Sequence, residues 1–388
     1  MMDLRHDHGA LIHVVRACDN ADAPDLVAIG GENSVSVLLI TDTSADIVAS
    51  FSIGCRITTL AWSPRAVSPS SSDQWFIELT AASSNFGLHL LTKSPDTDED
   101  IFPFGGGLSG HHGLVTDMTF CGGPTDDAAR YVATVSDDKM LMVWDLRPNV
   151  DIPSAPQSRS HSLSPSSSSS SSPSPGGGGA SSTRPQPTAY VISFPHALSS
   201  VCAHASTTKD LLVADIRGSL ALIDWRSDPL HAPADAAWHH PRVIEFAAPR
   251  AIAGGAGAYP ASAAWQQANP DIIGAVHRSR FSLWDLSKLH GGKPTLSGAS
   301  FPEGAHRFRW CPTYPEYFAI STRNPGARSA TIHVHSALHA HSHVEPTTFT
   351  LAPRPLCVRD FDFVSLKGIP RIAAAVGHEL IVFYIGLE

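Results

Sequence analysis

The chain repeats one local pattern: a short strand with an aromatic or apolar end, then a tight hairpin. The strand ends resemble one another at Leu60-Ala-Trp-Ser-Pro64, Met118-Thr-Phe-Cys121, Ala263-Ala-Trp-Gln266 and Arg309-Trp-Cys-Pro312. The clearest hairpin covers 130–145, where two β-rich runs flank the polar turn at Asp137 and Asp138. Others cover 210–225 and 271–285. A strand followed by a hairpin is most of one blade of a β-propeller, and it cannot bury its faces without neighbours of the same kind. Upstream strands are expected at 11–17, 56–62, 114–121, 198–203, 261–265, 306–311 and 358–363, which makes seven units. The seventh hairpin ends at Ile385, so residues 1–5 are expected to supply its outer strand and close the ring. Closure matters because an open ring leaves two unpaired strand edges.

The predicted fold is therefore all-β: one seven-bladed propeller over residues 1–388, carrying a Ser/Pro/Gly insertion. The insertion is 149–187, which has almost no large apolar residue and cannot offset its ordering entropy. It reads as disordered and as lying between the third and fourth repeats. Trp144 and Trp284 are 140 residues apart, and removing this 39-residue segment leaves 101 for two repeats. That is about 50 each, against the usual 40–45. The Ala/Gly-rich stretch 247–261 accounts for the excess as a loop within the fifth repeat.

The third repeat carries Gly110-His111 ahead of its first strand and Trp144-Asp145 at its end. It resembles the WD-repeat signature. That resemblance implies a hydrogen-bonded cluster across the blade, drawn from His111, Thr134 or Ser136, Asp137 or Asp138, and Trp144. These residues are read as structural, satisfying one another inside the blade. Other repeats match only in part: the fourth has Asp224-Trp225 in reversed order, and the sixth and seventh have no Trp-Asp.

A narrower likeness comes from the order of the units. Ile12-His-Val-Val15, Leu26-Val-Ala-Ile-Gly-Gly-Glu-Asn33 and Arg56-Ile-Thr-Thr-Leu-Ala-Trp-Ser-Pro64 come first. Ala133-Thr-Val-Ser-Asp-Asp138, Ser200-Val-Cys202, Leu283-Trp-Asp285, Phe308-Arg-Trp310 and Tyr317-Phe-Ala-Ile-Ser-Thr322 follow. The series resembles the small WD-repeat nucleoporins of the Y-shaped nuclear pore scaffold complex, over nearly the whole chain except 149–187. The resemblance implies a non-catalytic structural scaffold at the nuclear envelope that supports pore assembly and nucleocytoplasmic transport of mRNA and protein. It implies the large long-arm nucleoporin and other Y-complex subunits as partners, and no cofactor. The alternative is a generic WD-repeat adaptor, such as a ubiquitin-ligase substrate receptor or a chromatin-complex subunit.

Net charge is −9 with no long Lys/Arg run, which argues against direct nucleic-acid binding. The polar N-terminus carries no apolar signal core, and no apolar run is long enough to span a membrane. Six scattered cysteines, none in a C-x-x-C pair, fit a reducing compartment such as cytosol or nucleus. His6 and His8, His333 and His335, and His339, His341 and His343 have spacings that put imidazoles on one face of a strand. With no Cys or carboxylate cluster beside them, they read as an exposed His-rich strand and loop. Ser109 is misplaced for a nucleophile elbow, and Gly176 to Gly179 lack the Lys and Ser/Thr of a phosphate loop. The acidic run Asp96, Asp98, Glu99 and Asp100 reads as a solvated loop able to steer a basic partner.

Overall fold

The computed structural model describes residues 3–123, 126–148, 185–226, 260–288, 292–323, 329–338, 345–353 and 355–386. It is a seven-bladed β-propeller, and among the described residues there is no α-helix, only short 3-10 turns. The first, innermost strands of blades 1 to 7 are Val14–Ala17, Ile57–Trp62, Val115–Phe120, Leu198–Ala203, Ser262–Trp265, Arg307–Trp310 and Val358–Val364. Each matches its expected position to within a few residues. Every blade is an antiparallel meander that starts at the inner strand, and the inner strands neighbour one another in order round the ring, with blade 7 meeting blade 1.

Sequence explains which strands lie where. The second strands are buried on both faces, because each blade is covered by a neighbour on either side: Leu26–Gly30 and Ile77–Ser83 are buried throughout. Alanines concentrate there (Ala81, Ala82, Ala133, Ala214, Ala319 and Ala373 to Ala375), where small side chains let the wedge-shaped blades approach. Outer strands face solvent and read as polar. Ala45–Ser52 buries only Ala49 and Phe51 fully, and Thr188–Ser193 has no fully buried residue.

The N-terminus closes the ring. Leu4–Asp7 pairs antiparallel with the third strand of blade 7, Glu379–Tyr384, with Leu4 opposite Val382 and Asp7 opposite Glu379. The closing strand thus starts and ends a little later than the expected 1–5. Arg5 Nη1 clamps the seam at 2.9 Å from Glu379 Oε2.

Thr188–Ser193 is the fourth strand of blade 3, paired with Met140–Asp145, so the insertion 149–187, which follows the third sequence repeat, joins two strands of one blade. Its residues 149–184 lie outside the described residues, so the expectation of disorder falls there too. Blade 5 begins at Ser262, close to the expected 261, and of the Ala/Gly-rich stretch before it 247–259 are likewise outside the described residues.

Candidate functional site

The hydrogen-bond cluster of blade 3 is a linear chain. Trp144 Nε1 donates to Thr134 Oγ1 at 3.0 Å, Thr134 Oγ1 meets His111 Nε2 at 2.8 Å, and His111 Nδ1 meets Asp138 Oδ2 at 2.9 Å. Asp138 also accepts from the His112 and Met140 amides, which ties the entry loop to the hairpin turn. Burial pushes the His111 imidazole below its usual range despite the Asp138 carboxylate, which itself sits below the usual range. Of the two pairs of alternatives, Thr134 and Asp138 are in the chain. Ser136 instead accepts the Asp138 amide, and the Asp137 side chain lies against Gly113. The Trp144 ring packs edge-on to Phe104 of blade 2, so the cluster braces two blades and leaves little of itself exposed.

Around the channel, the inner strands face a common problem. Their channel-side amides have no further strand to pair with, and a buried unpaired N–H is costly. The chain answers with a repeated stitch: a polar side chain on one inner strand accepts a backbone N–H from the next blade. Asp117 takes Val201, Ser200 takes Ala263, Ser262 takes Phe308, and Asp360 takes Val15. Two residues on, Cys202 takes Trp265 and Asp362 takes Ala17. Tryptophans at the strand ends stitch the other way. Trp62 Nε1 donates to Arg16 O and Trp310 Nε1 to Ala264 O, each spanning 46 residues.

Charges then fill the channel. Arg16 of blade 1 reaches Asp360 of blade 7 at 2.6 Å and, across the axis, Asp117 of blade 3 at 3.0 Å. Arg307 of blade 6 lies 3.3 Å from Asp360 and 3.7 Å from Asp117. The Asp360 contact is an ion pair without hydrogen-bond alignment, since Arg307 Nε and Asp360 Oδ1 have no hydrogen-bond partner. All four residues are buried. Burial alone would push the Asp360 carboxyl up, yet Arg16, Arg307 and Arg309 together hold it well below the usual carboxylate range. Two cations and two anions form a neutral plug.

On one side of the plug the inner-strand ends enclose a cavity of about 480 Å³, walled by Trp62, Trp265, Trp310 and Phe120. Arg309 and Asp362, 3.6 Å apart, also line it, beside Arg16 and Asp117 of the plug. Burial moves both toward their neutral forms: Asp362 above the usual range, Arg309 below it. Burial also raises the Cys202 thiol, to about 11, so it is protonated at neutral pH. This cavity and the plug were not anticipated. The available signal was an acidic residue at the third position of an inner strand, as at Asp117 in Val115–Phe120 and Asp360 in Val358–Val364.

The remaining candidates are dispersed. His333 and His335 do share a strand face, but it is turned inward. His333 stacks on Phe301 at 3.9 Å and His335 on Phe318 at 5.0 Å, and burial pushes His335 down to about 4. The expectation of an exposed strand fails there because the aromatic side chains of blades 5 and 6 cover it. His339, His341 and His343 lie outside the described residues. Asp96, Asp98, Glu99 and Asp100 are exposed, with Glu99 paired to Lys93.

No protein-family model matches the chain, and no curated protein is matched by its sequence. Among solved structures it is similar to Chaetomium thermophilum Raptor, with a TM-score of 0.64 and 12% identity. That similarity covers 99% of this chain and 29% of the other, so the chain spans under a third of Raptor's length. At this identity the likeness concerns the fold alone.

Proposed function

We propose that this chain is a non-catalytic scaffold propeller of the Y-shaped nuclear pore complex that docks the large long-arm nucleoporin at the nuclear envelope. The observation that carries the scaffold reading is the internal use of its polar groups. His111, Thr134, Asp138 and Trp144 bond to one another, and the polar inner-strand residues stitch blade to blade. What remains for a partner is rigid outer surface, which suits shape-complementary docking. The nucleoporin assignment rests on the ordered series of sequence motifs from Ile12 to Thr322.

Permanent interfaces typically bury about 2,000 Å² or more around a few aromatic anchors, and apolar burial is not screened by salt. A pull-down with the recombinant long-arm subunit at about 0.15 M and about 1 M salt tests this. Complex at both concentrations is the expected result. No complex at low salt rejects the nucleoporin assignment, and co-purification with ligase or chromatin subunits instead supports the adaptor reading.

A further inference from the structure

The tryptophan-walled cavity has two unlike sides. At the level two residues past the stitching side chains, blades 6, 7 and 1 line it with Arg309, Asp362 and Arg16. At the same level blades 2 to 5 line it with Ala61, Thr119, Cys202 and Ala264. One side is therefore charged and the other small and uncharged, with the Trp62, Trp265 and Trp310 rings at the strand ends.

Its inner end is shut by the plug, whose Arg16 and Asp117 line it. At its rim Asp19, two residues past the inner strand of blade 1, bonds to Gln267, two residues past that of blade 5. Blades 1 and 5 are not neighbours, so this bond crosses the opening. Both residues are exposed, and exposed side chains change rotamer within nanoseconds, so the bar admits a small molecule.

The charged side is under-bonded. A guanidinium carries five N–H donors, yet among the described residues Arg309 makes one hydrogen bond, from Nη1 to Phe308 O at 3.2 Å. Its Nε lies 3.6 Å from Asp362 Oδ1, which gives an ion pair without a hydrogen bond. Asp362 accepts only backbone amides, from Ala17 at 3.3 Å and Phe363 at 3.0 Å, so each oxygen retains room for another donor. Trp62 and Trp310 donate their Nε1 to strand carbonyls, but the buried Nε1 of Trp265 has no acceptor. Unmet polar groups in a closed setting are costly, and a ligand that satisfies them gains accordingly.

We propose that this cavity binds a free α-amino acid with an apolar or aromatic side chain, its carboxylate on Arg309, its ammonium on Asp362 and Asp19, and its side chain against the tryptophans. The guanidinium fork matches a carboxylate, and indole rings suit an apolar or aromatic body. The volume, about 480 Å³, falls within the range of about 300–1,000 Å³ usual for small-ligand sites. An apolar amine would leave the Arg309 donors unmet, and an apolar acid would face Asp362 and Asp19 without a cation of its own. A peptide terminus brings only one of the two charges. The site lies inside the ring, so it does not depend on which partner docks outside.

The test is isothermal titration calorimetry of the full chain with L-tryptophan, L-phenylalanine and L-leucine, and with phenethylamine and 3-phenylpropanoate as single-charge analogues. Saturable binding of at least one amino acid is expected, about tenfold or more tighter than either analogue. Arg309→Gln should weaken the amino acid about tenfold or more while leaving phenethylamine nearly unchanged, a change of selectivity that general loosening of the fold would not produce. Asp19→Asn alters an exposed residue, so its Tm should hold while affinity for the amino acid falls about threefold. The proposal is overturned if none of the amino acids saturates, or if either analogue binds as tightly as the best of them. It is equally overturned if Arg309→Gln or Asp19→Asn binds the amino acid as wild type does.

Discussion

Asp360→Asn is the most direct test of the plug. The substitution keeps shape and leaves an oxygen to accept the Val15 amide, now 3.2 Å away. It removes the charge that faces Arg16 at 2.6 Å and Arg307 at 3.3 Å, leaving both guanidiniums to Asp117 alone. Removing one partner of a buried ion pair costs about 3–5 kcal/mol, because the other charge stays desolvated and uncompensated. With about 300 described residues and about 2.1 cal/mol/K of unfolding entropy for each, that predicts a fall in Tm of roughly 5–8 °C by calorimetry. The pH dependence sharpens the test. A carboxyl held below its unfolded value stabilises the fold above about pH 4 and loses that contribution as pH falls toward its folded value. Wild type should therefore lose stability on acidification below about pH 4 more steeply than Asp360→Asn. Adding Arg307→Gln removes one charge of each sign and should recover part of the loss, with a coupling of about 0.5–3 kcal/mol. An unchanged Tm in the single variant, or strict additivity in the double, would refute the claim that the plug is held by charge.

The other predictions concern packing and the insertion. Trp144→Ala removes a buried ring and the donor to Thr134, and should cost about 3–5 kcal/mol by denaturant titration. A fully folded variant that lost a specific activity would instead assign chemistry to the cluster. Gly274→Ala should cost about 1–3 kcal/mol, because the added methyl would run into the Phe308 ring of the next blade; an unchanged denaturation midpoint would mean that the blades can separate to admit it. Replacing 149–187 with a short Gly/Ser turn should shift Tm by less than about 2 °C, since Asp145 already faces Thr188 across the strand pair it joins. A large drop would show that the insertion packs on the ring.

Much of this architecture is written locally. Second and third strands are buried on both faces and show as apolar runs, as in 130–145, where the hairpin turn at Asp137 and Asp138 is legible from residue type alone. A chain ending on a third strand predicted that its own N-terminus would close the ring, and Leu4–Asp7 does so. Of the six cluster residues, sequence narrowed the hydroxyl to Thr134 or Ser136 and the acid to Asp137 or Asp138. Only the strand register brought Thr134 to Trp144, and only the turn brought Asp138 to His111. Outer strands were less legible, because they meet solvent and need no apolar pattern. Thr188–Ser193 was therefore not recognised as the edge of blade 3.

The channel was decided by tertiary structure alone. Arg16 and Asp360 are 344 residues apart, and Arg16 and Asp117 are 101 apart. No local pattern links them, because their pairing follows from where ring closure brings the inner strands. Sequence set the blades through short apolar runs broken by polar turns. Which charges neutralise one another depends on distances that exist only once seven blades close on a common axis.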